Sequence, residues 1–569
     1  MPISRRTALF SGLAAPLAAC TSAPDSPLLS AATTPARGAF LHGVASGDPE
    51  PDSIVLWTRV TTPSDRLAVK VEIAETPAFA PLLQTHTAET DRGRDHTVKI
   101  VPTGLAPGRV YYYRFTVGDE VSPIGRTRTL PDRTDAATFA IASCSNYPFG
   151  YFNAYDHIAR DDQVDAVIHL GDYIYEYGPD GYGGETGRSL GREHVPPREI
   201  VSLSDYRARH AQYKADPSSR AMLARHPLIC IWDDHETANN SWEHGAQNHQ
   251  PETEGSWDDR RRAALRAYYE WMPVRDPEPG KPREALFREY EWGGLLSLAA
   301  IETRLMARSE QLEYRDIVPT LTDDDAIERF RREIVGAPSR ELLGAAQTAF
   351  LERHFRQSVA KGTTWRLVAN QIIMARLIAP NVADRVSEEQ IVEFEKEWDQ
   401  VRTFVEFTKF GLPFNLDAWD GYPAARERFY RMAQAAGARD LIVLTGDTHE
   451  FWGNDLLTDT GEAMGVELGT SGVTSPGFMA RLGDKAFDYS LLMRRENRDI
   501  RYHDPLHHGY LRLHLTPDRG HIDYMAVSTI LSPNYQAFRT ARFDLIRENG
   551  TVRFGNPQGL GLKERIVYG

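Results

Sequence analysis

Leu170-Gly171-Asp172-Tyr173-Ile174-Tyr175 is the stretch on which the fold turns. It follows the apolar run Ala166-Val167-Ile168, whose length and β-branched content predict a buried strand. A carboxylate and, three residues on, a phenol therefore stand where that strand should end. In open α/β sheets ligands bind beyond the carboxyl ends of the strands. Upstream, Thr138-Phe139-Ala140-Ile141-Ala142 is a second apolar run, ending at Ser143-Cys144-Ser145. Between the two, Phe152, Tyr155, Ile158 and Ala159 fall at helical spacing. Strand, helix, strand makes a βαβ unit, so Cys144 and Asp172 are expected at the same edge of a parallel sheet.

Two later strands end in the same manner. Residues 227–232 run into Asp233-Asp234-His235-Glu236, with Asn239-Asn240 close behind, and residues 439–445 run into Gly446-Asp447-Thr448-His449. A lone aspartate at a strand end is commonly a turn or helix-cap residue. Four such ends in one chain, bearing Cys, Asp, Tyr, Asn and His, point instead to one shared site. Carboxylates buried together repel one another unless cations neutralise them. Carboxylates and amides offer hard oxygen ligands, whereas thiolate, phenolate and imidazole suit a transition metal. The mixed set therefore implies at least two metals of unlike character, with Asp172 as the natural bridge. Paired metals are the usual device for hydrolysing phosphate esters.

The bulk properties fit a soluble globular protein with length enough for more than one domain. The chain has 569 residues, 41% hydrophobic and 25% charged, with a formal net charge of -14. That charge argues against a nucleic-acid-binding module, though bound cations would still permit an anionic substrate. Cysteine is sparse: Cys20, Cys144 and Cys230. The last two are enough for one disulfide in an oxidising compartment, but Cys230 lies in the strand-like run Leu228-Ile229-Cys230-Ile231 and reads as a small buried hydrophobe.

The first 20 residues carry a separate message. Ser4-Arg5-Arg6-Thr7-Ala8-Leu9 precedes an apolar run over residues 13–19 that is too short to span a bilayer. The pattern resembles a twin-arginine export signal, which implies the matching export machinery as a partner and a periplasmic, periplasmic-side membrane-anchored or secreted product. Leu17-Ala18-Ala19-Cys20 also resembles a lipobox, which would place a lipid anchor on Cys20; an ordinary cleavage site is the alternative. Residues 21–37, rich in Ser, Thr, Ala and Pro, read as a linker.

From residue 38 to 131 the pattern is all-β, with strand-like runs at 53–60, 68–73 and 97–101. Leu105-Ala106-Pro107-Gly108 leading into Tyr111-Tyr112-Tyr113-Arg114-Phe115 resembles the corner of a fibronectin type III sandwich. This segment is expected either to shape the approach to the site or to act as a spacer. Residues 136–569 then alternate strands and helices, giving an α/β class overall. Helices are expected over 206–223 and 257–269 and through much of 318–358 and 388–408, with a glycine-rich surface loop at 178–191. Runs at 465–471, 509–515 and 521–528 suggest a second sheet.

The ordered motifs resemble the calcineurin-like (purple acid phosphatase-like) metallophosphoesterases, and within them the alkaline phosphatase D (PhoD-like) family. The matching wording is Ala142-Ser143-Cys144-Ser145, His169-Leu170-Gly171-Asp172-Tyr173-Ile174-Tyr175-Glu176-Tyr177-Gly178, Trp232-Asp233-Asp234-His235-Glu236 and Leu444-Thr445-Gly446-Asp447-Thr448-His449. The resemblance implies an N-terminal fibronectin type III-like β-sandwich followed by a metallophosphoesterase α/β sandwich of two mixed sheets flanked by helices. It further implies ferric iron, Fe(3+), held by Cys144, Tyr175 and His449, and Asp172 bridging to calcium, Ca(2+). Asn239 and Asp447 would complete the calcium site with Asp233 or Asp234. His235 would sit beside the leaving group as transition-state stabiliser or proton donor. The implied activity is hydrolysis of a small phosphate mono- or diester by hydroxide activated at the Fe/Ca site. A phosphodiesterase or phospholipase D-like enzyme on the same core is the alternative; a non-catalytic binding protein or an iron redox protein is a more distant one. Arg304 and Arg376 are open as phosphate clamps or salt-bridge partners, and His507-His508 either reaches the site or caps a strand.

Overall fold

The computed structural model describes residues 38–395, 400–480 and 486–558. The export signal, the lipobox cysteine, the linker and the C-terminal stretch 559–569 lie outside the described residues. No helix among those described is long and apolar enough to cross a membrane.

The strands Ala137–Ala142, Ala166–His169 and Leu228–Cys230 are wholly buried, which explains why they are apolar on both faces. They pair in parallel, with His169 opposite Ala142 on one side and Cys230 on the other. Residues 143, 170 and 231 therefore leave the sheet at one edge. Helices Asn153–Ala159, Leu203–Ala215 and Pro217–Arg225 fill the crossovers. The single helix expected over 206–223 is two. Asp216 ends the first and caps the second, its carboxylate accepting from the Ser218 and Ser219 N–H groups with Pro217 at the first turn.

A second, seven-stranded sheet contains the parallel strands Leu296–Ala300, Trp365–Ala369, Leu441–Thr445 and Ala463–Gly469. The two sheets meet at their carboxyl edges. Val473 N–H donates to Ser143 O at 2.9 Å, and the Gln371 side-chain amide donates to Trp232 O and Ile301 O, both at 2.9 Å. Of the late runs expected to build the second sheet, only that at 465–471 does so, as the strand Ala463–Gly469. His508–Leu515 and Gly520–Val527 instead extend the first sheet, antiparallel beside Ala137–Ala142. Alternation tells which face of a strand is buried, not which sheet it joins. The glycine-rich loop also holds a short helix, Gly184–Leu190.

The N-terminal strands divide between two sheets. Arg66–Ala74, Leu82–Asp91, Val110–Val117 and two short partners form their own antiparallel sheet. Val44–Gly47, Val55–Arg59 and Thr97–Ile100 become the end of the ten-stranded sheet that carries the site. The junction is Gly47 paired in parallel with Leu228, and a Cβ at Gly47 would lie 2.5 Å from Leu228 O, so only glycine allows the approach. Tyr111 Oη accepts from Ala106 N–H at 2.7 Å and locks the corner beside buried Leu105. Trp57 Nε1 donates to Glu270 O at 2.8 Å, and Lys99 Nζ donates to Tyr269 O and Val274 O at 2.6 and 2.9 Å. The N-terminal segment and the α/β layers thus share one apolar core. Cys144 and Cys230 are both buried and unbridged.

Candidate metal centre

At the meeting edge, three groups of side chains have donor atoms within 4.8 Å of one another: Cys144, Asp172 and His449; Asp172, Asp234 and His235; and Asp233, Asp234 and Asp447. Asp172 belongs to the first two and Asp234 to the last two, so the groups form one chain of donors. Tyr175 Oη joins the first, donating to Asp172 Oδ2 at 3.0 Å and lying 3.3 Å from His449 Nε2.

The backbone is bent to make this convergence. Cys144 (φ 60°), Asp172 (φ 55°), Asn240 (φ 51°), Asp447 (φ 63°) and His449 (φ 62°) all occupy the left-handed region. Such conformations cost energy in a non-glycine residue and persist where surroundings enforce them, commonly at functional sites. Gly171 adds a close approach that no other residue permits, since its Cβ would lie 2.4 Å from Asp233 N.

Two carboxylates hold the loops and are members of none of these donor groups. Glu236 accepts from the N–H groups of Asp172 (3.0 Å), Tyr173 (2.6 Å) and Asp233 (2.8 Å), tying two strand ends together. Glu176 accepts from His235 Nδ1 (2.7 Å), Asn239 N–H (2.7 Å) and Asn248 Nδ2 (2.9 Å). His449 is oriented similarly, its Nδ1 lying 2.9 Å from Pro476 O, which turns Nε2 toward Tyr175. A ring nitrogen fixed by an outer partner is how proteins present the other nitrogen to a metal or substrate. Glu236→Ala would strand three buried N–H donors. It should lower unfolding stability by about 3 kcal/mol, read from urea denaturation, and reduce activity more than a surface Glu→Ala control.

Arg304 is fully buried among the acids. Nε donates to Asp233 (2.5 Å), one terminal nitrogen to Asp417 (2.9 Å) and the other to Asp447 (3.1 Å), with Asp234 at 3.9 Å. Its guanidinium is thus occupied by protein carboxylates. Arg376 lies at the surface, paired with Asp459 at 3.0 Å. His507 bonds the Asp504 carboxylate at 2.7 Å, while His508 opens the strand that follows. Asn239 directs its amide to Gln247 at 2.9 Å; Asn240 donates its N–H to Asp234 at 2.6 Å and lines the cavity beside Asp447.

The electrostatics are those of an acid cluster only partly compensated by Arg304 and His235. Burial, and then the neighbouring acids, push Asp172 and Asp233 well above the usual carboxylate range, with His235 and Arg304 respectively opposing. Burial and Asp417 bring Asp447 up to about 7. For Asp234 burial acts upward, yet His235, Arg304 and the Asn240 N–H hold it below the ordinary value. Burial, followed by Asp172, raises Cys144 and Tyr175, so neither ionises here without a cation. Burial depresses His449 to about 4, leaving a neutral imidazole. Asp233 Oδ2 is buried with no hydrogen-bond partner. A thiol, a phenol and a neutral imidazole at one end, and carboxylates with an idle buried oxygen at the other, suit a softer cation beside a harder one.

Asp417 is the residue that strand-end reasoning misses. It lies in a loop with no strand before it, and it enters the site by bonding Arg304 and, at 2.5 Å, Arg308. Glu176 and Glu236 both stand inside motifs already quoted, adjacent to donors, and their spacing was the available signal.

Comparison with known proteins places this geometry. The family model described as PhoD-like phosphatase matches residues 139–524, and that of the PhoD-like phosphatase N-terminal domain matches residues 25–131. Alkaline phosphatase D of Bacillus subtilis (strain 168) is 34% identical over 524 residues, covering 89% of this chain and 80% of that protein. The solved structure of PhoD superposes with a TM-score of 0.75 at 30% identity, covering 96% of this chain and 98% of the other. This chain belongs to the PhoD-like phosphatase family and is a phosphoric ester hydrolase.

Proposed function

We propose that the chain is an exported phosphoesterase whose centre holds ferric iron at Cys144, Tyr175, His449 and Asp172 and calcium at Asp172, Asp234, Asp447 and Asn240. The observation that carries this reading is the donor chain itself, with its soft and hard ends joined through Asp172. Of each adjacent pair, Asp234 is shared between donor groups and Asn240 lines the cavity, so these are the members assigned to calcium. When bound, such cations activate water and neutralise charge on the phosphoryl oxygens. The side chains supply the rest. Pro476 O and Ser475 Oγ, the latter donating to Tyr175 Oη at 2.7 Å, keep His449 and Tyr175 in place. Glu176 fixes His235 by Nδ1, leaving Nε2 to hydrogen-bond the ester oxygen and give its proton to the departing alkoxide. Export rests on the paired arginines and short apolar run of residues 4–19.

A diester is the second reading of the substrate, and one observation favours it. A monoester dianion carries an extra charge, and the buried arginine at this centre is already engaged by Asp233, Asp417 and Asp447. Paired kcat/KM measurements on phenyl phosphate and diphenyl phosphate decide the matter. A monoester value at or above that of the diester supports a phosphatase. One far below it makes the enzyme a phosphodiesterase, and no turnover of either rejects the proposed function.

A further inference from the structure

The donor chain forms one end of a cavity of about 360 Å³. Asp447, His449, Asn240 and Asp417 stand at that end, and the other wall is aromatic. Phe404 and Phe407 project from helix Val401–Phe407 and are buried. Tyr314 stacks on Phe407 at 4.1 Å with the rings nearly parallel. Phe478 packs against Phe404 at 5.4 Å and Phe414 at 6.0 Å, yet remains 37% exposed. The wall is thus a set of rings fixed from behind, with one presented to the cavity mouth. Binding clefts combine such apolar walls with a few polar groups that orient the ligand.

The charge of the cavity is equally one-sided. Among the described lining residues none is Lys or Arg, whereas Glu313, Asp417, Asp447 and Glu450 are acids. Asp417 is held by Arg304 and Arg308, and Glu450 by His503 at 2.8 Å. Glu313 forms no ion pair within 4.0 Å among the described residues; its carboxylate accepts from the Asn240 amide at 3.5 Å and bonds the Gln311 side chain. A carboxylate so placed disfavours any second anionic group on a ligand that reaches from the metal centre toward the rings.

We propose that the Phe404–Phe414–Phe478 wall is the subsite for the organic portion of the substrate and that, with Glu313, it selects phosphate esters of apolar alcohols over esters bearing a second anionic group. The proposal rests on the phosphoesterase reading above and specifies its substrate class. Apolar contact made by a remote part of a substrate helps to stabilise the transition state, so its loss appears in kcat/KM.

The test uses naphthyl, glyceryl and carboxyphenyl esters in whichever form, mono- or diester, turns over faster. Phe478→Ala should lower kcat/KM for the naphthyl ester about tenfold and leave the glyceryl ester within about twofold. Phe478→Leu should recover most of the loss. Glu313→Gln should raise kcat/KM for the carboxyphenyl ester about fivefold relative to that for the naphthyl ester. Equal losses on naphthyl and glyceryl esters in Phe478→Ala, with an unchanged Tm, overturn the subsite. So does an unchanged ratio of carboxyphenyl to naphthyl kcat/KM in Glu313→Gln, which stands as the decisive arm if Phe478→Ala does not fold. Failure of the wild-type enzyme on every ester would instead remove the phosphoesterase reading beneath the proposal.

Discussion

Cys144→Ala should lower the iron content and the activity of the purified enzyme together, each by about a hundredfold or more. The thiol is 1% exposed and its sulfur lies within 4.8 Å of donor atoms on Asp172 and His449. Burial makes a free thiolate costly there, so a cation is what stabilises the ionised form. Removing the sulfur would leave the proposed softer cation with oxygen and nitrogen donors only. Calcium should be retained, because Asp234 and Asp447 are untouched. A Cys144→Ala enzyme with wild-type iron would show that the thiol is merely a packed core residue.

Asp172→Ala should be more severe, because the change strikes both ends of the centre. Its carboxylate belongs to the Cys144–His449 group and to the Asp234–His235 group, and it accepts from Tyr175 Oη. Loss of both iron and calcium is expected, with kcat/KM falling on the order of 10³-fold or more. Asp447→Ala, which touches only the hard end, should lose calcium and keep iron. If Asp172→Ala retained either metal at wild-type level, the carboxylate would not bridge.

The strand ends were legible because burial and chain direction leave traces in sequence. A parallel strand buried on both faces is a short apolar run, and the polar residue that terminates it marks the sheet edge. Cys144, Asp172, Asp233 and Asp447 are thus marked at such edges by the sequence itself. What brings them together is different in kind. The contact between the two sheets runs through Gln371, Trp232 and Ser143, residues that carry no signal for pairing across so much chain. Asp417 follows no strand and is recruited only through Arg304 and Arg308, so its role exists only once the second sheet is in place. Glu176 and Glu236 look like ligands by type, yet each is saturated by N–H donors. Proximity to a motif does not by itself separate a metal-capable carboxylate from one that accepts from N–H groups.

The N-terminal strands show the same limit at the level of the fold. Alternation marked residues 53–60 and 97–101 as strands, but strand pairing is long-range, and the pairing of Gly47 with Leu228 depends on the backbone of a segment far along the chain. The consequence is mechanical. The sheet that ends at Asp172 and Asp233 is continuous with the one that begins at Val44, so damage to either half is felt in the other.

Elemental analysis of the purified enzyme tests the mixed centre most directly. The account predicts iron and calcium together, each in amounts comparable to the protein chain, with both falling in Asp172→Ala. Zinc in their place, or iron without calcium in an active enzyme, would contradict it.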